Sequence, residues 1–252
     1  MSTRHLTILT GASRGMGLAM AQQLLDAGHD LLCISRKPNE ALAAQAKASG
    51  LHCEQWAQDL ARADTAAANL AFWLQERAGE GYASATLINN AGLIPRIAPL
   101  GDIAAADLAD ALRVGLEAPM LLTGAFLRAT AGWSAARKVL NISSGMGRNA
   151  MASQAAYCAA KAGMDHFTRC VALEEEQKRN GARVCSLAPG VIDTDMQVQL
   201  RSAEPRDFPN LANFQGMKDK GALATPKDAA ARVLAYLARP DFGSKPVADV
   251  RD

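Results

Sequence analysis

The chain has 252 residues, with 27 Lys+Arg against 25 Asp+Glu and a formal net charge of +2. That length accommodates one large α/β domain or two smaller ones, and a near-neutral charge gives no electrostatic case for a nucleic-acid or membrane-surface partner. With 49% hydrophobic and 21% charged residues, the composition excludes a disordered chain.

The N-terminus, MSTRHLTILTGAS, lacks a signal-peptide h-region, and no apolar run reaches the length that spans a bilayer, so a cytoplasmic protein is expected. A first strand is predicted at 5–10, HLTILT. It runs into TGASRGMG (10–17), where Gly11, Gly15 and Gly17 permit a tight turn and a close backbone approach to a ligand. A helix, LAMAQQLLDAG, follows and closes at Gly28, which suits a left-handed C′ position. Amides at such a helix start face an anion, so the spacing GxxxGxG after a first strand predicts dinucleotide binding.

The second strand, DLLCISR (30–36), ends without the carboxylate that takes a ribose hydroxyl in NAD-selecting folds. Arg36 and Lys37 stand there instead, and Arg14 lies in the glycine turn. A guanidinium binds a 2′-phosphate that a carboxylate would repel, so NADP is expected over NAD.

Further strands are predicted at 51–58, 85–90, 137–143 and 182–188. Helical stretches lie between them, including TAAANLAFWLQERAG and one long run, DLADALRVGLEAPMLLTGAFL. This alternation predicts an α/β fold with a doubly wound parallel sheet flanked by helices, as a single domain over 1–252. The segment 193–221 has mixed charge and two prolines and reads as a long irregular insertion, a lid or binding loop. After it, TPKD marks a helix start with Thr225 as N-cap and Pro226 at the first helical position.

Five cysteines without CxxC spacing read as buried hydrophobes, and four scattered histidines give no ligand spacing, so no metal site is expected.

QAAYCAAKAG (154–163) places Tyr157 and Lys161 one helical turn apart. Alone, such a pair is compatible with an inward aromatic and a solvated lysine. Three more stretches decide the matter: NNAG (89–92), NISSGMG (141–147) and APGVIDTDM (188–196) each close a predicted strand, at the sheet edge where open α/β folds bind ligands. With TGxxxGxG and YxxxK they make the whole chain closely resemble the short-chain dehydrogenase/reductase family, and a Rossmann-type fold is the expectation.

The resemblance implies a catalytic set of Ser144, Tyr157 and Lys161. Tyr157 would protonate the substrate oxygen while the nicotinamide delivers hydride. Lys161 would bind the nicotinamide ribose and lower the tyrosine pKa, and Ser144 would hydrogen-bond the carbonyl, with Ser143 structural. Bringing a phenol from about 10 towards 7 takes about 4 kcal/mol, roughly what a cation at about 4 Å supplies at an effective dielectric near 20.

Cofactor contacts implied by the same resemblance are Gly11, Ser13, Arg14, Gly15, Met16, Gly17, Arg36, Asp59, Leu60, Asn90, Ala91, Gly92, Tyr157, Lys161, Pro189, Gly190, Ile192 and Thr194. Asn89 reads as bracing the sheet. Where the family usually has an asparagine, RVGLEAP places Gly115, which keeps a main-chain carbonyl but removes the side chain from the proton relay.

DTDMQ and the terminal PVADVRD resemble the sepiapterin-reductase and benzil-reductase branch. That implies a compact vicinal dicarbonyl or hydroxyketone attached to a ring. Met146, Met151 and Met196, with Phe208, Phe214 and Met217, are candidates to line an apolar pocket. Asp249 is the candidate anchor for a basic ring edge. The alternatives are a 3-oxoacyl or alcohol-type short-chain dehydrogenase, or a weakly catalytic NADP-binding regulatory protein. A homodimer or homotetramer is expected through the long helices at 103–129 and 152–179.

Overall fold

A computed structural model describes residues 4–252. Seven parallel strands form one sheet among the described residues, in the order β3-β2-β1-β4-β5-β6-β7. They are β1 His5–Thr10, β2 His29–Ser35, β3 Cys53–Ala57, β4 Ser84–Asn89, β5 Ala136–Ile142, β6 Arg183–Ala188 and β7 Val247–Asp249. The inner strands carry apolar residues towards both faces because both faces are covered. Leu9, Leu31, Cys33, Leu140 and Leu187 point to one face, while Leu6, Ile8, Leu32, Leu87 and Val139 point to the other.

The first face packs on α1 (Gly15–Asp26), α2 (Glu40–Ala48) and α9 (Pro226–Ala238) through Met20, Leu24, Leu42 and Val233. The second packs on α3 (Ala63–Glu76) and α5 (Ala118–Ala129) through Leu70, Leu74, Leu122 and Phe126. Strand order reverses between β1 and β4, and the crevice of such a sheet opens beyond the carboxyl ends at that point. The glycine turn after β1 and the NNAG segment after β4 meet there.

The six expected strands are present, the third trimmed to Cys53–Ala57, and β7 is an addition. The single long helix expected at 107–127 is three pieces: α4 (Ala105–Leu112), a π-turn at Arg113–Glu117, and α5. The expected irregular insertion instead contains α7 (Asp195–Arg201) and α8 (Leu211–Asp219). Its two ends are tied by a parallel bridge between Ile192 and Ala224. Thr225 caps α9 as expected, its side chain accepting from the Asp228 amide.

Candidate active site

The glycine turn is built for close backbone contact. Gly11 and Gly15 have φ of +72° and +56°, the left-handed region. A Cβ on Gly17 would stand 2.1 Å from the Gly11 carbonyl oxygen, so only glycine fits. No side chain caps the α1 N-terminus, and its first turn carries no acidic residue. These amides fit a dinucleotide pyrophosphate.

Asn90 holds the facing segment in place. Its Nδ2 donates to the Thr10 carbonyl at 3.0 Å, while the amides of Asn90 and Ala91 both donate to Thr10 Oγ1. Asn89 braces the sheet below, donating to Asn141 Oδ1 at 2.8 Å and Thr123 Oγ1 at 3.2 Å.

Arg36 and Lys37 are exposed beyond β2, beside Ser35, whose hydroxyl accepts from the Ala12 amide. Asp59 caps a short 3₁₀ turn ahead of α3, and Leu60 is buried beneath it. Arg14 reaches across the crevice to Asp195, the first residue of α7, at 2.6 Å. Thr194 approaches from the same side, its Cγ2 lying 3.7 Å from where a Gly15 Cβ would be. The segment behind it turns at Gly190, with Pro189 and Ile192 buried.

The catalytic candidates converge from two elements. Tyr157 and Lys161 lie on one face of α6 (Ala155–Glu176) and are both buried. Ser144 opens the 3₁₀ turn Gly145–Gly147 after β5, its hydroxyl accepting from the Met146 amide at 3.1 Å. Lys161 Nζ donates to the Ile142 carbonyl at 2.7 Å and stands 5.7 Å from the Tyr157 ring centre.

Burial pushes the Tyr157 phenol up to about 12, opposed by its hydrogen bond with Ser144. Burial likewise pushes Lys161 down to about 8, opposed by Asp165. Burial thus dominates both groups, and the influences on Tyr157 are its burial, Ser144 and Cys158.

Around Tyr157 lies a separate apolar cluster of Ile94, Ile97, Leu200, Phe208, Leu211 and Phe214. Met146, Met151, Met196 and Met217 pack against it. The methionines and phenylalanines singled out from sequence are thus brought together with the tyrosine. Ile94, Ile97, Leu200 and Leu211 were missed, although apolar residues beside NNAG and inside the insertion were there to find.

Asp249 is the last residue of β7. Its carboxylate accepts from Arg251 Nε and Nη2, both at 2.7 Å, which holds its pKa below the usual carboxylate value. Sequence reading also passed over Arg148 and Asp165, which sit behind Lys161. Among the described residues no cluster of His, Cys, Asp and Glu could hold a metal ion, and no helix is long and apolar enough to cross a membrane.

Comparison with known proteins places this geometry in context. A family described as short chain dehydrogenase matches residues 5–205. A benzil reductase ((S)-benzoin forming) of Bacillus cereus is 35% identical over 235 residues, 93% of this chain and 94% of its own. The sepiapterin reductase of Bos taurus is 34% identical, over 96% of this chain and 92% of its own. Among solved structures, a short-chain dehydrogenase/reductase from Burkholderia vietnamiensis superposes with a TM-score of 0.66 at 33% identity, covering 99% of each chain.

Proposed function

Because the chain belongs to the short-chain dehydrogenase family, we propose that it is an NADPH-dependent reductase of a small dicarbonyl or ketone bearing apolar, ring-like groups. The observation that carries this reading is the seating of Tyr157 as the polar member of an otherwise apolar cluster. The glycine turn at Gly11–Gly17 and Lys161 would hold a nicotinamide nucleotide, which would supply hydride to the carbonyl carbon. Tyr157 Oη gives its proton to the carbonyl oxygen, and the Ser144 hydroxyl holds the same oxygen in place. Lys161 steadies the nucleotide ribose, and its cation favours the phenolate that the proton transfer leaves. Phe208, Phe214 and the surrounding methionines exclude water from the transfer.

NADP is preferred over NAD because Arg36 and Lys37, rather than an acid, follow β2. A dicarbonyl flanked by apolar rings suits the site better than a pterin, because the Arg251 fork already occupies Asp249. Similarity to a benzil reductase points the same way. Exposed Met120 and Leu121 on α5 and Leu173 on α6 support assembly of copies through these helices.

The test is nicotinamide absorbance with purified protein, benzil or sepiapterin, and NADPH or NADH. Rapid loss with NADPH and benzil is expected. Faster turnover of sepiapterin would move the reading to pterins, and tight NADPH binding without turnover would favour a regulatory protein.

A further inference from the structure

Behind Lys161, three elements meet at a buried carboxylate to which the proposed reaction assigns no role. Asp165 follows Lys161 by one turn of α6 and is 2% exposed. Its Oδ1 accepts from Ser186 Oγ of β6 at 2.6 Å, and its Oδ2 accepts from Arg148 Nε at 3.3 Å. Arg148 follows the turn that Ser144 opens, and its Nη2 donates to the Ala248 carbonyl of β7 at 2.7 Å. The turn lies hard against the helix. A Cβ on Gly147 would come within 3.0 Å of the Lys161 carbonyl and 3.1 Å of Asp165 Oδ2.

Lys161 itself is 4% exposed, and its acceptor is a neutral carbonyl. It forms no ion pair among the described residues, so nothing in direct contact neutralises its charge. A buried ammonium in that position sheds its proton unless a nearby negative charge retains it. Asp165 is the carboxylate so placed. Arg148 contacts it through Nε alone, with a side chain 32% exposed, whereas that of Asp165 is 3% exposed.

We propose that Asp165 is a positioning residue for this reaction, its charge, tempered by Arg148, keeping the buried Lys161 protonated. The role rests on the reading of Lys161 as the cation that the reduction uses. Burial is the larger influence on Lys161, and Asp165 is the charge that opposes it. The other titratable groups facing this cluster are Tyr157 on α6 itself, Cys185 on β6, and Asp249 on β7 beyond Arg148. None of these places a second carboxylate beside Lys161.

The test is an NMR titration of the full chain, isotope-labelled at the lysine ε-carbon, with Lys161→Met identifying the signal. In Asp165→Asn, Lys161 is expected to titrate lower by roughly one to two units, the effect of a charge one helical turn away. In Arg148→Gln, which leaves the carboxylate unopposed, it is expected to titrate higher. An unchanged Lys161 titration in folded Asp165→Asn overturns the proposal. Should that variant fail to fold, an unchanged or lowered titration in Arg148→Gln overturns it instead. The signal is read without substrate, so an inactive wild-type protein would count against the reduction and leave this coupling measurable.

Discussion

Gly115 and Ala160 are packed so closely that a Cβ on Gly115 would lie 2.9 Å from the Ala160 Cβ. The contact joins the π-turn at Arg113–Glu117 to α6 one residue before Lys161. An asparagine side chain at Gly115 would therefore press on Ala160 of α6. Gly115→Asn is expected to destabilise the fold by about 1–3 kcal/mol, the usual cost of overpacking, and to bring no gain in turnover. Adding Ala160→Gly should restore part of the loss. Urea unfolding of the two variants checks this, and a single variant that is both stable and faster contradicts it.

Cofactor choice should bear the mark of the Arg14–Asp195 pair. Both side chains are well exposed, at 69% and 71%, so the pair is worth no more than about 1 kcal/mol. Arg14 must release Asp195 to reach a 2′-phosphate. Asp195→Asn should then tighten NADPH binding by up to about fivefold, with NADH unchanged. Equal changes for the two nucleotides in a fluorescence titration would show that Arg14 does not read the phosphate.

Stability should weaken in mild acid through His29. It begins β2, stacks on His5 at 5.0 Å between ring centres, and pairs with Thr7 Oγ1 at 3.0 Å. Burial, then His5, lowers its pKa to about 4. The unfolded chain takes up this proton near pH 6.5, before the folded one does. Stability is therefore lost as pH falls from about 6.5 towards 4. Urea midpoints across that range should fall less steeply in His29→Gln than in the parent, and parallel slopes would remove His29 from the account.

The parts of the fold that could be read were those whose local pattern agrees with their surroundings. In β1, His5–Thr10, the apolar Leu6, Ile8 and Leu9 are buried on both faces, because the sheet is covered on both sides. A three-residue β7 carries too little pattern to be seen, and its pairing with β6 supplies what its sequence does not. The π-turn at Arg113–Glu117 left no signal in the sequence beyond Gly115, which packs against Ala160 of α6. Helices α7 and α8 were hidden by Pro205 and Pro209 between them. They are held by tertiary contacts, including Phe208 against Phe214 at 5.4 Å.

At the site, ordered motifs exposed Ser144, Tyr157 and Lys161. Asp165, only a charged residue four positions along α6, acquires meaning when Arg148 and Ser186 close on it from distant parts of the chain. Asp249 illustrates the converse, an acid that looked free in sequence and is held by Arg251 two residues away.

The most direct measurement of the central claim is NADPH-linked reduction of benzil by Tyr157→Phe beside the parent protein, with NADPH affinity measured on both. Loss of the phenol proton should reduce turnover by at least about a hundredfold, the scale of general-acid catalysis, while NADPH binding changes little. Turnover retained in a folded variant would contradict the assignment of Tyr157 as the proton donor.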